Sequence, residues 1–387
     1  MRILWVSPFL PHPEAPHAGG RAIYQWLSKL SENNDITLLC RLQEQELPQL
    51  DAIRPYCEEI QTITFDRRKS GLLDLFRIPF SYFRLGRIAN RLSRSGRFDL
   101  LHVEYVETGL GIGRHVPIPR ILIAHDELSK PARRRLALAT ELPMRAAHFV
   151  YWFLIGRLER RILRKFDRTL ALSESDRHAL LQLDPALQVG VLPIPVGIEP
   201  LRAARESNRL VFVGSMHRDV NVDAMLYFCR EILPLIRNQW SNVRLSIVGN
   251  KPPPEILSLG EDPNIQITGF VPTLEPYYAT ATIFVAPLRI GGGIIVKILN
   301  AMAAGCPVVT TNIGNEGIGA RPGVHLLTAD EPEAFAQAVL TLLRDEKERI
   351  RLAENARAFV EPRFNIATTA RVLEELYGEV SMKGALR

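Results

Sequence analysis

Residues 287–305 read PLRIGGGIIVKILNAMAAG, with three consecutive glycines in front of a segment of helical periodicity. Glycines let a backbone approach a phosphate closely, and the N–H groups at a helix start have no acceptor within the helix. Lys297 lies inside an otherwise apolar run, IIVKIL, where a charged residue is unusual. The stretch therefore predicts a diphosphate site with Arg289 and Lys297 as its cations. The alternative is that either cation pairs with a surface carboxylate.

On both sides of this stretch, short β-branched runs alternate with segments of helical periodicity, which is typical of parallel sheets covered by helices. The predicted strands of the first half are RILWVSPF, DITLLCR, EIQTITF, FDLLHVEY, RILIAHD, RTLALS and VGVLPIPV. Those of the second half are RLVFVGS, VRLSIVGN, IQITGF, IFVAPL, PVVTT and HLLTA.

The pattern stops at residues 193–208, which contain three prolines in PIPVGIEP and indicate a linker. A chain of 387 residues also exceeds what one core usually supports. We therefore predict an α/β protein with two doubly wound domains, 1–195 and 206–362, and a ligand cleft where the carboxyl ends of their strands face each other. The last dozen residues are expected to be frayed.

The net charge of +6 comes from the first 200 residues, which contain 28 Lys and Arg against 22 Asp and Glu. Arginines alternate there with Leu, Phe, Tyr and Trp in two stretches, 66–98 and 130–166. This pattern suits an anionic membrane surface, and it equally suits ordinary amphipathic helices with solvated arginines. Nucleic acid is a poorer partner, because no recognised binding module accompanies the charge.

Location is indicated by two further features of the sequence. The apolar run at 146–155 is far too short to span a bilayer, which takes roughly 20 residues. The four cysteines lie far apart, which favours reduced thiols and the absence of structural zinc. We expect a cytoplasmic protein that can lie at the inner face of the membrane.

Candidate site residues in the first half follow predicted strands. Gly19 and Gly20 open a helix, where their amides are ready donors, although a plain turn is the commoner reason for such a pair. His125 ends the strand RILIAHD and can donate to a substrate hydroxyl or stabilise charge, unless a loop carbonyl holds it.

The run LLHVEYVE adds three residues near another strand end, but not all three can face one site, because side chains alternate along a strand. The three are His102, Glu104 and Glu107.

In the second half, the strand FVGS ends in Gly214 and Ser215. Arg218 follows, and Asn221 is predicted to cap the next helix. No D-x-D, H-E-x-x-H or G-x-S-x-G motif occurs, so a metal enzyme or a serine hydrolase is disfavoured.

Together these segments resemble the family 4 retaining glycosyltransferases, of the kind with a PLRxGGG donor loop. The resemblance covers nearly the whole chain and is most specific from 287 to 311, with FVGS, NVDA, IVGN, ITGFVP and GNEGI in support. It implies the GT-B fold, in which two Rossmann-like domains face a central cleft and the final helix, 365–380, packs back on the first domain. It also implies a nucleoside diphosphate sugar as co-substrate, most suitably with UDP or GDP, and no metal cofactor.

The resemblance also implies residue roles. The amides of Gly19 and Gly20 would meet the donor diphosphate, and His125 would lie beside the transferred sugar. Val271 would bind the nucleobase through its backbone. The remaining donor-site residues are Gly214, Ser215, Arg218, Arg289, Gly293, Ile294, Lys297 and Asn300.

The sequence departs from the family at its E-x7-E signature, where Gly292 and Asn300 stand. An asparagine keeps one acceptor for the ribose hydroxyls but lacks the charge, which costs about 1–2 kcal/mol of nucleotide binding. Ser215 and Ile295 replace cations common in such loops. Two hypotheses follow: a transferase that delivers sugar to a glycan or lipid-linked acceptor in cell-surface polysaccharide or glycolipid assembly, or a degenerate relative that binds nucleotide or a partner without turnover.

Overall fold

The computed structural model describes residues 1–15, 17–64, 74–138, 141–197, 206–291 and 293–385. The chain forms two compact units: unit 1 is Met1–Pro195 with Ile366–Arg387, and unit 2 is Val196–Asn365. Half of the predicted linker, part of the basic stretch 66–98, and Gly292 of the glycine run lie outside the described residues.

Unit 1 is built on a seven-stranded parallel sheet in the order β3-β2-β1-β4-β5-β6-β7. Apart from the more polar edge strand β3, the strands are mainly apolar and buried, as expected where helices cover both faces of a sheet. They are β1 (Arg2–Ser7), β2 (Asp35–Leu42), β3 (Glu59–Thr64), β4 (Leu100–Glu104), β5 (Arg120–Ala124), β6 (Arg168–Ala171) and β7 (Val189–Val191).

Its helices connect these strands and bury part of their apolar residues on the sheet. They are α1 (Ala18–Leu30), α2 (Leu50–Ile53), α3 (Asp74–Ser93), α4 (Ser129–Leu138), α5 (Leu142–Leu163) and α6 (Glu174–Leu183). A short 3-10 segment, Val106–Gly111, follows β4.

Unit 2 has a six-stranded parallel sheet in the order β10-β9-β8-β11-β12-β13. Its strands are β8 (Arg209–Val213), β9 (Arg244–Val248), β10 (Ile265–Ile267), β11 (Ile283–Ala286), β12 (Val308–Thr310) and β13 (Leu327–Thr328). Its helices are α7 (Asp219–Tyr227), α8 (Leu233–Arg237), α9 (Pro254–Leu257), α10 (Glu275–Thr280), α11 (Val296–Ala303), α12 (Asn312–Asn315), α13 (Pro332–Arg344) and α14 (Glu346–Phe364).

The last helix, α15 (Ile366–Ala385), belongs to unit 1 and packs along α1. The indole N–H of Trp26 donates to Thr369 Oγ1 at 3.1 Å, and Tyr377 is 1% exposed. The expectation that the last dozen residues fray is therefore wrong for residues up to Val380, because Leu376, Tyr377 and Val380 are buried and hold this helix on the unit.

All the predicted strands are present, and both sheets reverse their strand order once, between β1 and β4 and between β8 and β11. In open α/β sheets, ligands bind beside the carboxyl ends of the strands at such a reversal. The two reversals therefore predict ligand sites at the loops after β1, β4, β8 and β11. Across the described ranges, no helix is long and apolar enough to cross a membrane.

Candidate functional site

Lys297 lies in the first turn of α11, close to the strand reversal of unit 2. Its Nζ donates to Asn221 Oδ1 at 2.5 Å and stands 4.1 Å from the ring centroid of Phe212. A Cβ added to Gly214 would lie 2.7 Å from the same nitrogen. Burial, with a smaller contribution from Arg218, lowers the pKa of Lys297 to about 7. The cluster of Gly214, Asn221 and Lys297 therefore holds an amine that a bound anion would charge.

Asn221 is placed in this cluster by a helix that starts earlier than predicted. Its N–H donates to the Arg218 carbonyl at 2.8 Å, so α7 begins at Asp219 and the prediction of Asn221 as the cap is wrong. The side chain is buried, and its Nδ2 donates to the Ser215 carbonyl at 2.8 Å. The amide is thereby oriented so that its oxygen accepts from Lys297.

Ser215 itself has a different partner. Its hydroxyl donates to Asn250 Oδ1 at 2.5 Å and lies 3.0 Å from His217 Nδ1. The Ser215 side chain thus ties the loop after β8 to the loop after β9.

The glycine run packs closely against Gly317, which lies outside the run. Gly293 has φ +71°, which favours glycine, and a Cβ added to Gly317 would lie 2.3 Å from the Gly293 carbonyl oxygen and 2.7 Å from Ile294 N. Within the described ranges, the N–H groups of Gly293 and Ile294 have no recorded acceptor. The loop therefore offers backbone donors just before α11. Its close approach to Gly317 is possible because that residue has no side chain.

Arg289 stands apart from the lysine cluster. Its guanidinium binds Asp223 through two hydrogen bonds of 2.5 and 3.2 Å and lies over the Tyr227 ring at 4.3 Å. The surface pairing described above as the alternative is what the structure has for Arg289. A phosphate role for this residue stays a prediction, and it requires that the ion pair with Asp223 be exchanged.

Val271 lies in the loop after β10, and Asn300 lies on α11. Gly269, with φ +67°, turns the chain after β10, and Val271 follows the strongly exposed Phe270. Asn300 is half-buried on α11, three residues after Lys297, so the two side chains lie on neighbouring turns of one helix.

In unit 1, a buried hydrogen-bonded network leads to His125. His125 follows β5, and its Nε2 is 2.6 Å from Glu104 Oε2 at the end of β4. The other oxygen of Glu104 is 2.8 Å from His102 Nε2, and His102 Nδ1 is 2.7 Å from the Tyr377 hydroxyl on α15. We call these four residues the histidine network.

The donors and acceptors of this network can be assigned from the charge of Glu104. Burial acts to raise the pKa of Glu104, but the two histidines outweigh it and hold the pKa below its usual value. An ionised carboxylate only accepts, so the Nε2 atoms of His102 and His125 both carry protons. The Tyr377 hydroxyl is hydrogen-bonded to His102 Nδ1, and the Nδ1 of His125 is on the other side of its ring from Glu104.

The Nδ1 of His125 faces the start of α1. A Cβ added to Gly19 would lie 3.4 Å from His125 Nδ1 and 2.0 Å from the Tyr105 hydroxyl, while the Tyr105 ring stacks on the His125 ring at 4.0 Å. A buried carboxylate therefore orients His125, in place of the loop carbonyl that the sequence left open. Of the three residues predicted near this strand end, His102 and Glu104 share one face of β4. Glu107 lies beyond the strand, in the 3-10 segment.

Gly20 differs from its prediction in one respect. Its N–H donates to the ring Nδ1 of His17, the residue that caps α1, at 3.0 Å. A donor phosphate at this amide would have to replace His17, so the role of Gly20 stays a prediction. In the part of the chain that the structure describes, no group of three or more His, Cys, Asp and Glu is placed to hold a metal ion.

Comparison with known proteins identifies the class to which this architecture belongs. Over 98% of the chain, the structure aligns with sucrose-phosphate synthase from Thermosynechococcus elongatus (TM-score 0.75, 18% identity, 99% of that chain). It also aligns over 98% with HepE from Anabaena in complex with UDP and glucose (TM-score 0.69, 14% identity, 99% of that chain). The predicted fold class is confirmed: the protein has the GT-B fold, with two parallel-sheet, Rossmann-like units.

The sequence matches are narrower. Residues 207–345 match the family model described as glycosyl transferases group 1, which supports a glycosyltransferase and lies within unit 2. An uncharacterized 44.6 kDa protein in the cps region of Klebsiella pneumoniae is 22% identical over 94% of this chain and 96% of its own length. The putative glycosyltransferase YtcC of Bacillus subtilis is 30% identical over 129 residues, 32% of each chain.

Proposed function

We propose that the protein is a retaining glycosyltransferase that moves a sugar from a nucleoside diphosphate sugar, with UDP or GDP as the nucleotide, to a glycan or lipid-linked acceptor. Unit 2 binds the donor and unit 1 the acceptor. The family match over residues 207–345 and the relative from a cps region support a role in cell-surface polysaccharide assembly. The structural relative HepE has been solved with UDP-glucose, which supports a nucleotide sugar as the donor.

The observation that carries the proposal is the environment of Lys297. A lysine whose pKa is lowered to about 7 stands at the strand reversal of unit 2, in the first turn of the helix that the glycine run precedes. Surface lysines that only aid solubility are not desolvated in this way. A diphosphate would supply the negative charge that this amine lacks, and the amides of Gly293 and Ile294 would add donors for the distal phosphate.

Catalysis would then rest on stabilising the departing diphosphate. As the bond between sugar and phosphate breaks, negative charge grows on the phosphate oxygens, and preorganised donors stabilise that charge more than the ground state. His125 is our proposed contact for the transferred sugar. Glu104 fixes its ring, so its Nδ1 is presented to a sugar hydroxyl.

A second candidate function is nucleotide binding without turnover. Asn300 replaces the acidic residue of the resembled family, and Arg289 is engaged by Asp223. Both features weaken the donor site without removing it, since Lys297 and the loop amides remain.

Calorimetric titration with UDP and GDP tests the donor site. We expect one of these nucleotides to bind, Lys297→Met to weaken it, and the exposed control Lys347→Met on α14 to leave it unchanged. A screen of UDP and GDP sugars for nucleotide release then separates the two functions. Release supports the transferase, and binding without release by any sugar nucleotide supports the second candidate. No binding of either nucleotide would overturn both.

A further inference from the structure

Helix α5 has an apolar surface that stays exposed among the described residues of unit 1. Ten of the 17 large apolar side chains that are exposed in the described chain lie on two helices, eight on α5 and two on α3. The central group on α5 is Phe149, Val150, Tyr151, Phe153 and Leu154, each 49–59% exposed. An exposed apolar patch of this kind on one element marks an interaction surface.

Every exposed charged residue within α5 is positively charged. Arg145, Arg157 and Arg161 are exposed, and in the described ranges none of them has a carboxylate partner. The acidic residue within the helix, Glu159, is buried, where it accepts from the N–H groups of Leu128 and Ser129 at 2.8 and 3.1 Å. The outer surface of α5 thus combines apolar side chains with unneutralised cations.

Most exposed apolar residues of α5 precede its last exposed arginines along the helix axis. Seven of the eight exposed apolar side chains lie between 142 and 154, where Arg145 is also exposed, and Arg157 and Arg161 follow on either side of the eighth, Leu158. Such an order lets one end of the helix enter an apolar layer while the other end meets anions at its boundary. It suits the boundary between acyl chains and lipid phosphates.

Helix α3 repeats the pattern and lies near α5. Phe80 and Phe83 are exposed, and Arg84, Arg87 and Arg91 follow at helical spacing on the same side. Both helices pack on the segment Val106–Gly111: Gly86 of α3 meets Gly111, and Ile162 of α5 meets Gly109. Two neighbouring elements of unit 1 therefore present the same chemistry.

We propose that the outer face of α5, residues 142–161, docks on an anionic phospholipid surface, with its aromatic half in the headgroup boundary and its arginines on lipid phosphates. A second copy of the chain fits this face less well. It would bring unneutralised arginines together, and like charges across an interface are repulsive. The proposal concerns unit 1 alone and does not depend on donor binding by unit 2.

Vesicle co-sedimentation of the full chain tests the proposal. We use phosphatidylcholine vesicles with and without about 30% phosphatidylglycerol, in the absence of nucleotide. The parent protein is expected to bind the anionic vesicles and to be released by salt. Phe149→Ser with Phe153→Ser should lower the partition coefficient by roughly tenfold or more, because both rings leave the bilayer boundary. The matched control, Leu257→Ser with Ile350→Ser, removes two side chains of similar exposure (53% and 51%) from unit 2 and should bind like the parent.

Charge and depth are tested separately. Arg157→Gln with Arg161→Gln should weaken binding to anionic vesicles by about tenfold. Trp152, which lies on α5, should be quenched by brominated lipid, and this quenching should vanish in Trp152→Phe. Absence of binding by the parent, an equal loss in the unit 2 control, or bound protein without Trp152 quenching would overturn the proposal. If the parent protein is a dimer, and among the variants only Phe149→Ser with Phe153→Ser is a monomer, the face binds a second copy and the proposal is overturned.

Discussion

Replacing Lys297 with methionine is the change that most directly tests the donor site. Methionine keeps most of the length and apolar volume of the side chain and removes the amine that donates to Asn221. A hydrogen bond to a charged group contributes about 1.5–3 kcal/mol, so nucleotide affinity should fall by roughly 10- to 150-fold. The comparison is with the parent and with Lys347→Met.

The same residue predicts that nucleotide binding takes up protons. Because the pKa of Lys297 is about 7 in the free protein, about half of the molecules carry a neutral amine at pH 7. A bound diphosphate favours the ammonium form, so binding at pH 7 should take up about 0.5 proton per nucleotide through this residue. Above pH 7 the parent's Kd should rise toward the value of Lys297→Met.

Titration calorimetry in buffers of different ionisation enthalpy measures this uptake directly. Any protons exchanged by the nucleotide itself remain in Lys297→Met, so the difference between the two proteins isolates the lysine. The reasoning is refuted if Lys297→Met binds as tightly as the parent, or if the parent and the variant take up the same number of protons.

The substitution should also stabilise the free protein, with a sign fixed by the direction of the pKa shift. Burial lowers the pKa of Lys297, so the folded state resists the proton that the unfolded state binds. The cost is complete below pH 7 and disappears as the pH rises from about 7 into the usual lysine range. Since the side chain keeps some exposure, we expect Lys297→Met to raise the free energy of unfolding by about 1–3 kcal/mol at pH 6, and by less at pH 10.

Three further outcomes are expected. Tyr377→Phe removes the hydroxyl that is hydrogen-bonded to His102 Nδ1 at 2.7 Å, so it should lower kcat more than it raises KM. An unchanged kcat would show that the network does not position His125. Gly317→Ala places a methyl group within 2.3 Å of the Gly293 carbonyl, so calorimetry should show at least tenfold weaker nucleotide binding, and unaltered affinity would contradict the close approach. Asn300→Glu restores a charged acceptor and should tighten nucleotide binding by about 5- to 30-fold. Unchanged affinity would show that position 300 does not face the ribose.

The fold was predictable because its signals are local. Each predicted strand is a short apolar run between turn residues, and parallel sheets buried on both faces produce such runs whatever their neighbours are. The glycine run before α11 and the lysine within an apolar segment are local in the same sense. These features placed Lys297 at a helix start before any contact was known.

The site residues that were missed depend on partners distant in sequence. Asn221 reads as a helix cap until the start of α7 is seen, and Gly317 reads as a turn until its contact with Gly293 is seen. The ion pair between Arg289 and Asp223 is another such case, because 66 residues separate the two.

The sequence by itself determined the α/β architecture, the two series of strands, and the lysine and glycines at the donor loop, since periodicity and backbone freedom belong to each residue. Only the tertiary structure decided how the charges are paired. Tyr377, in a segment expected to fray, is 275 residues from His102, yet it completes the network that orients His125. Packing between distant segments desolvates Lys297, which lowers its pKa. It also brings two histidines to the buried Glu104, and they hold the pKa of that carboxyl down against the effect of burial.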